Sequence, residues 1–142
     1  MSIFIKITNW DEAKSQVMPI RHEIFVKEQK VPEELEWDEF DQNALHAIVK
    51  KENQVIGTAR LIIDNTIAKI GRMAIQKEYR QQGIGQELLS TLMQRAKEKG
   101  AQECILHAQT HAIAFYAKAD FEPNGPIFDE AGIPHVEMRL IL

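Results

Sequence analysis

The residues best suited to chemistry lie mid-chain, in Arg80-Gln81-Gln82-Gly83-Ile84-Gly85 followed by Gln86-Glu87-Leu88-Leu89. A β-like run over residues 67–75 leads into them, and an amphipathic helix pattern follows as far as Gly100. Glycines where a strand hands over to a helix let the backbone turn tightly and approach a ligand closely. The first helical N–H groups have no internal partner. The helix dipole adds partial positive charge there, and Arg80 adds a full one. A phosphate or pyrophosphate is the natural guest. There is no G-x-x-x-x-G-K-[ST], which argues against a P-loop. Leu88 fills the third glycine position of a dinucleotide fingerprint, so that reading fails too. A lone G-x-G is weak; Arg80-x-x-Gly83-x-Gly85 at a strand–helix junction, with Ala114-Phe115-Tyr116-x-Lys118 some thirty residues later, is far more specific.

The elements that must hold these residues are legible in outline. Ile3, Ile5 and Ile7 alternate as on a strand. Asn9 or Asp11 can cap a helix whose stripe is Ala13, Val17, Ile20 and Ile24; Pro19 should kink or break it before its end near Gln29. Residues 31–43 are rich in carboxylates and carry two aromatics, which reads either as a solvated loop with a short helical turn or as a substrate wall that attracts a cation. Three strand-like runs, 44–50, 54–63 and 66–75, are joined by short turns and imply an antiparallel meander. Gly57 and Gly71 inside strands suggest a bulge or a close backbone approach. The helix after the glycines stacks Ile84, Leu88, Leu92 and Ala96 and ends at Gly100. A strand over 103–108 then makes a right-handed parallel crossover. A short helix over 111–119, a Pro/Gly-rich loop from Phe121 and a closing strand over 136–140 complete the chain. The expected class is α+β: a mixed, mostly antiparallel sheet with one central β-α-β crossover and helices on both faces.

One hundred and forty-two residues suit a single domain, 1–142. A net charge of −4 argues against nucleic acid as a partner. The one cysteine, Cys104, cannot form an internal disulfide. No signal peptide or membrane-length apolar run is evident, so a cytoplasmic protein without membrane association is expected. No metal is expected.

Arg80-x-x-Gly83-x-Gly85 and the segment Ala114, Phe115, Tyr116, Lys118 and Phe121 resemble the GNAT superfamily of acetyl-CoA-dependent N-acetyltransferases. The element order fits over essentially the whole chain. Arg21, Ile24-Phe25-Val26-x-Glu28-Gln29, Asp38, Asp41 and Ala44-x-His46, with the ending Gly132-Ile-Pro-His135-Val-x-Met138, resemble the small ElaA/YjcF-type branch. Two positions depart from the family pattern: its frequent Asn is replaced near His111, and its usual Gly before Phe121 is Asp120.

The resemblance implies an enzyme, an acyl-CoA N-acyltransferase with acetyl-CoA as cofactor and a small-molecule amine as partner; a homodimer is common in the family. The backbone of Met73, Ala74 and Ile75 would pair with pantetheine amides like an added strand. N–H groups of Gln81, Gln82, Gly83, Ile84, Gly85 and Gln86, with Arg80, would hold the pyrophosphate; His111, Phe115 and Lys118 would also meet the cofactor. A free N–H near Met73 or Ala74 can hold the tetrahedral oxyanion. Tyr116 would protonate the thiolate as general acid. Phe25, Glu28, His46, Arg72 and His135 are candidates for the acceptor side. Glu28, His46, His111 and His135 are the candidate bases, with Glu28 and His135 better suited to line the pocket than to move protons. Arg72 either orients an acidic substrate group or, the favoured reading, pairs with a nearby carboxylate. Cys104 reads as a small buried hydrophobe rather than a nucleophile. The acidic 33–41 segment hints at a cationic acceptor such as a polyamine, aminoglycoside or lysine-like amine. Two other functions remain open: a non-catalytic CoA-binding sensor or partner-binding module, and a nucleotide-binding protein using the same glycine turn.

Overall fold

A computed structural model describes residues 2–142. Strand β1 (Phe4–Thr8) feeds helix α1 (Trp10–Arg21), whose start is fixed by Asn9: its Oδ1 accepts from the Glu12 N–H at 3.0 Å. Pro19 does not end the helix. The chain stays helical through it and then widens into a π-helical turn, His22–Glu28, in which the Gln29 N–H reaches the Ile24 carbonyl at 2.9 Å. A proline supplies no N–H and crowds the preceding turn, and a wider turn is one way of absorbing that mismatch. Helix α2 (Glu33–Glu36) and a 3-10 turn, Glu39–Asn43, fill the acidic segment.

The sheet runs in the order β1-β2-β3-β4-β5-β8-β6, with β7 also on β8. Strands β2 (Leu45–Lys51), β3 (Gln54–Asp64) and β4 (Ile67–Ile75) form the expected meander. Helix α3 (Ile84–Glu98) crosses back to β5 (Glu103–Gln109), which pairs parallel with β4; every other pairing is antiparallel. Helix α4 (Ile113–Ala117) is shorter than the expected 111–119, because Thr110–Ala112 form a separate 3-10 turn.

The expected loop after Phe121 is partly sheet. Strands β6 (Glu122–Pro123) and β7 (Phe128–Glu130) both pair with β8 (Ile133–Ile141), which begins earlier than its alternation suggests. Ala131 and Gly132, at φ +54° and +80°, form the two-residue hairpin turn between β7 and β8.

Helices cover both faces. On one, Ile84, Leu88, Leu89, Leu92 and Ala96 of α3 pack on Ala47, Val49, Leu61, Ala68, Ile70 and Cys104, all buried. On the other, Trp10, Ala13 and Val17 pack on Ile48, and Ile20 and Ile24 on Ala74. Among the described residues no helix is long and apolar enough to cross a membrane.

Candidate functional site

The site grows from an irregularity in β4. Its pairing with β3 loses register: Thr58 faces Ala74, but Arg60 faces Gly71, so β4 carries one residue more than its partner. The extra residue is a β-bulge next to Gly71, where a glycine in the strand pattern suggested one. Arg72 takes the left-handed conformation there, at φ +51°. That conformation costs a non-glycine residue on the order of 1–3 kcal/mol. The bulge inverts the alternation. Ala68 and Ile70 face α3, yet beyond the bulge Met73 and Ile75 lie on that side and Ala74 meets Ile20 and Ile24.

Pairing of β4 with β5 stops at Ile70–Leu106. From there β5 pairs only with β8, through Gln109, while β4 continues to Ile75 bonded to β3 alone. The two parallel strands splay, and one backbone edge of Arg72–Ile75 is left without a strand beside it. Gly57 lets this part of β4 lie close, because a Cβ there would sit 2.6 Å from Ile75 Cδ1.

A cavity of about 600 Å³ occupies the splay. Met73, Ala74 and Ile75 form one wall, Phe115, Tyr116 and Lys118 another, and Arg80, Gln81, Gly83, Gly85 and Gln86 its far end. Gln81 and Gly83 are left-handed, at φ +62° and +84°, which shapes the turn into α3. The N–H groups of Ile84, Gly85 and Gln86 start that helix and have no intrahelical acceptor, so they can receive an anion. Gly85 sits tightly under Phe115: a Cβ would lie 3.0 Å from the ring, which would have to give way. Gln86 Nε2 donates to the Phe115 carbonyl at 3.0 Å and ties α3 to α4. Tyr116 stands edge-on to Phe115, and among the described residues its hydroxyl meets only the Met73 thioether, at 3.9 Å. Burial pushes its phenol up to about 12.

Three residues expected around the cofactor lie apart from this cavity. Ile84 puts its side chain in the core, leaving only its backbone to face outward. Gln82 is exposed and donates to the Glu78 carbonyl. His111 is exposed and donates to Gln109 Oε1 at 2.7 Å.

A second cavity, of about 310 Å³, adjoins the first across the bulge: Arg72 lines one and Met73 the other. Phe25, Arg72 and His135 border it, as expected of the acceptor side. Gln29, Gln109 and Glu130 also border it and were not anticipated. Their signal was faint: each is a lone polar residue at the end of an element, brought here by the splay and by the β7–β8 hairpin. His135 Nδ1 donates to the Ile133 carbonyl at 2.7 Å, which leaves the lone pair of the neutral ring on Nε2, 3.7 Å from Glu130.

Glu28 and His46 are not in this cavity. Glu28 makes a two-pronged ion pair with Arg80, at 2.7 and 2.9 Å, because the π-helical turn carries it to the phosphate-side loop. The Arg80 hydrogen bonds hold its carboxyl below the usual range. His46 is buried beside Trp10 and donates from Nε2 to the Asp41 carbonyl at 2.8 Å. Burial lowers its pKa, with the Arg21 and Arg60 charges adding to the effect.

The acidic segment has the expected short helical turn and is mostly exposed, but Glu36 and Asp41 turn inward. Its inward carboxylates are matched by arginines. Arg21, 1% exposed, binds Glu36 at 2.5 Å and Asp41 at 2.9 Å. Arg60 binds Asp38 at 2.7 Å and Asp41 at 3.2 Å, and Arg72 binds Asp38 at 3.2 Å. Desolvation would raise Asp41, but the two guanidiniums outweigh it and hold its carboxyl low. The ion pair favoured for Arg72 is therefore present. Cys104 is fully buried, its thiol pushed up by burial to about 11, as a small hydrophobe should be.

Residues 10–142 match the acetyltransferase (GNAT) domain. The chain belongs to the GNAT acetyltransferase family. Among its relatives, the uncharacterized Bacillus subtilis protein YyaT is 41% identical over 87% of this chain and 85% of its own. The uncharacterized N-acetyltransferase YjcF of the same organism is 34% identical over 90% and 92%. A crystal structure of an acyl-CoA N-acyltransferase from Pseudomonas aeruginosa superposes with a TM-score of 0.87 at 26% identity, over 97% of this chain and 99% of that one. Escherichia coli ElaA superposes at 0.88 with 23% identity, over 97% and 99%. GNAT structures that share the fold at 20% identity include one from Thermoplasma acidophilum in complex with coenzyme A and one from Elizabethkingia anophelis with acetyl-CoA bound. The domain is thus of the acyl-CoA N-acyltransferase type, in the branch expected from its motifs.

Proposed function

We propose that this chain transfers an acetyl group from acetyl-CoA to the primary amine of a small molecule, by direct attack in a ternary complex. The observation that carries the reading is the unpaired edge of β4 running from the bulge to the glycine turn. A pantetheine arm can bond to that edge as a missing strand would, while the α3 N-terminus and Arg80 receive the pyrophosphate. Arg80 would then exchange its Glu28 partner for phosphate oxygens.

In this reading the thioester lies between Met73 and Tyr116. The amine nitrogen attacks the thioester carbon, and the Met73 or Ala74 N–H stabilises the oxyanion. The C–S bond breaks, Tyr116 donates to the leaving sulfur, and the second proton shed by the attacking nitrogen as the amide forms restores the phenol. Burial keeps the phenol protonated, and among the described residues it has only a thioether to bond to in the free protein. The ammonium proton must leave first. His135, expected more to line the pocket than to move protons, becomes the favoured base, because its Nδ1 donates to the Ile133 carbonyl and its Nε2, near Glu130, borders the second cavity. His46 and His111 are committed to Asp41 and Gln109, and Glu28 lies by the phosphate-side loop, outside the second cavity. No thiolate route through Cys104 is supported.

The test is free-thiol release from acetyl-CoA with a panel of amines. Tyr116→Phe should lower kcat tenfold or more while acetyl-CoA still raises the melting temperature. An unchanged kcat would remove Tyr116 from the chemistry. Tight coenzyme binding without amine-dependent release in the wild type would favour a sensor instead.

A further inference from the structure

Arg72 is a non-glycine residue held left-handed at φ +51°, and the bulge that strains it also turns it into the second cavity. Its guanidinium is only partly used. Nε donates to the Glu36 carbonyl at 2.8 Å, and Nη2 to the Leu35 carbonyl and to Asp38. Among the described residues, Nη1 has no acceptor. Asp38 also binds Arg60, which Asp41 serves as well, so Arg72 shares its carboxylate partner. Burial and the nearby Arg60 charge lower the Arg72 pKa, so a further anion at this point would be favoured.

Gln29 stands in the same cavity with an equally free donor. Its Oε1 accepts from Gln109 at 2.9 Å, while its Nε2 has no acceptor among the described residues. The cavity also carries the opposite charge, on Glu130, whose carboxylate faces His107 at 2.8 Å and His135 at 3.7 Å. Phe25, Val31 and Ile133 supply an apolar wall between these polar groups. Glu36 borders the cavity too but is bound to Arg21. A volume near 310 Å³ is at the small end of ligand sites. A free guanidinium edge, an amide donor, a carboxylate and a short apolar wall together complement a small zwitterion.

We propose that Arg72 and Gln29 form a carboxylate subsite, so that the acceptor amine is amino-acid-like, with its ammonium toward Glu130 and His135 and a short apolar body against Phe25 and Val31. The chemistry rests on the acyl-transfer reading; the subsite itself is a binding property that can be measured without turnover.

The decisive experiment titrates coenzyme A-saturated protein with N-acetylvaline and with N-acetylvalinamide by calorimetry. The two differ only in the charged oxygen. The carboxylate should bind about 10- to 100-fold tighter, as expected for a charge-assisted hydrogen bond. Arg72→Gln should abolish that difference, and Gln29→Leu should narrow it. Equal affinity of the two probes for wild-type protein, absence of binding by either, or a preference unchanged in Arg72→Gln would each overturn the subsite. The wild-type comparison decides even where a variant loosens the acidic segment. Thiol release with valine, valinamide and spermidine separates the two ideas. Release with valinamide or spermidine at or above that with valine sinks the subsite and leaves acyl transfer standing. No release with any amine, while the carboxylate is still preferred in binding, sinks acyl transfer and leaves the subsite standing.

Discussion

Replacing Asp41 by Asn removes one charge and almost no volume from the point where Arg21 and Arg60 meet. Asp41 is 1% exposed, and its two oxygens serve both guanidiniums. Removing one partner of a buried ion pair costs about 3–5 kcal/mol, because the remaining charge stays out of water. Here Arg21 keeps Glu36 and Arg60 keeps Asp38, so the lower end applies, about 3 kcal/mol. A 142-residue domain has an unfolding entropy of about 0.3 kcal/mol per degree at its midpoint, so the expected loss in Tm is about 10 °C. Glu28→Gln is the control. It removes an ion pair of similar length whose side chains are 34% and 41% exposed, and such pairs contribute about 0–1 kcal/mol. Its Tm should fall by no more than about 3 °C. Thermal unfolding of the three proteins at neutral pH is the assay. A loss for Asp41→Asn no larger than that of Glu28→Gln would refute the view that this network is a buried structural strap.

Gly85→Ala should push Phe115 away from α3 and disturb Tyr116 with it, since the new Cβ meets the ring at 3.0 and 3.1 Å. About 1–3 kcal/mol of overpacking is expected, together with roughly tenfold weaker acetyl-CoA binding by titration; unaltered affinity would show that the ring is free to move. His46 has a folded pKa below its ordinary 6.5, so the unfolded chain binds the extra proton more readily. Its contribution is complete above pH 6.5 and is lost as pH falls towards the lowered value, at no more than about 1.4 kcal/mol per pH unit. His46→Gln should flatten the decline of Tm with acid below pH 6.5, and curves parallel to wild type would exclude this residue as its source. Cys104→Ala should retain full acyl-transfer activity with about 1 kcal/mol lost to the small cavity; loss of activity in a folded variant would reopen a cysteine nucleophile.

Much of the fold was legible because it is written in local periods. Alternation marked the meander, and the Ile84–Ala96 stripe marked the crossover helix. The glycine turn and Tyr116 were legible because backbone freedom and a specific spacing are sequence properties. What escaped depends on distance in the chain. Nothing near Glu28 announces Arg80, and nothing near Asp41 announces Arg21 and Arg60, because charges that meet across a fold leave no periodic trace. His46 sits on an apolar strand and faces Trp10, which a list of titratable residues cannot distinguish from a site. The β7–β8 hairpin was hidden because Ala131, rather than Gly or Asn, takes the left-handed turn position. The bulge at Arg72 was only half visible: Gly71 pointed to it, but the strained residue is its neighbour.

The bare edge of β4 also bears on how the protein behaves when it is empty. A strand with unsatisfied N–H and C=O groups invites any extended chain to pair with it, which is the usual seed of aggregation. Here the edge lies within a narrow wedge between β4 and β5, too confined to admit a neighbouring sheet but open to a slender extended molecule. A ligand that fills the wedge would act as a shield as well as a reactant. Yield and shelf life of the protein should therefore track the ligand's concentration, quite apart from turnover.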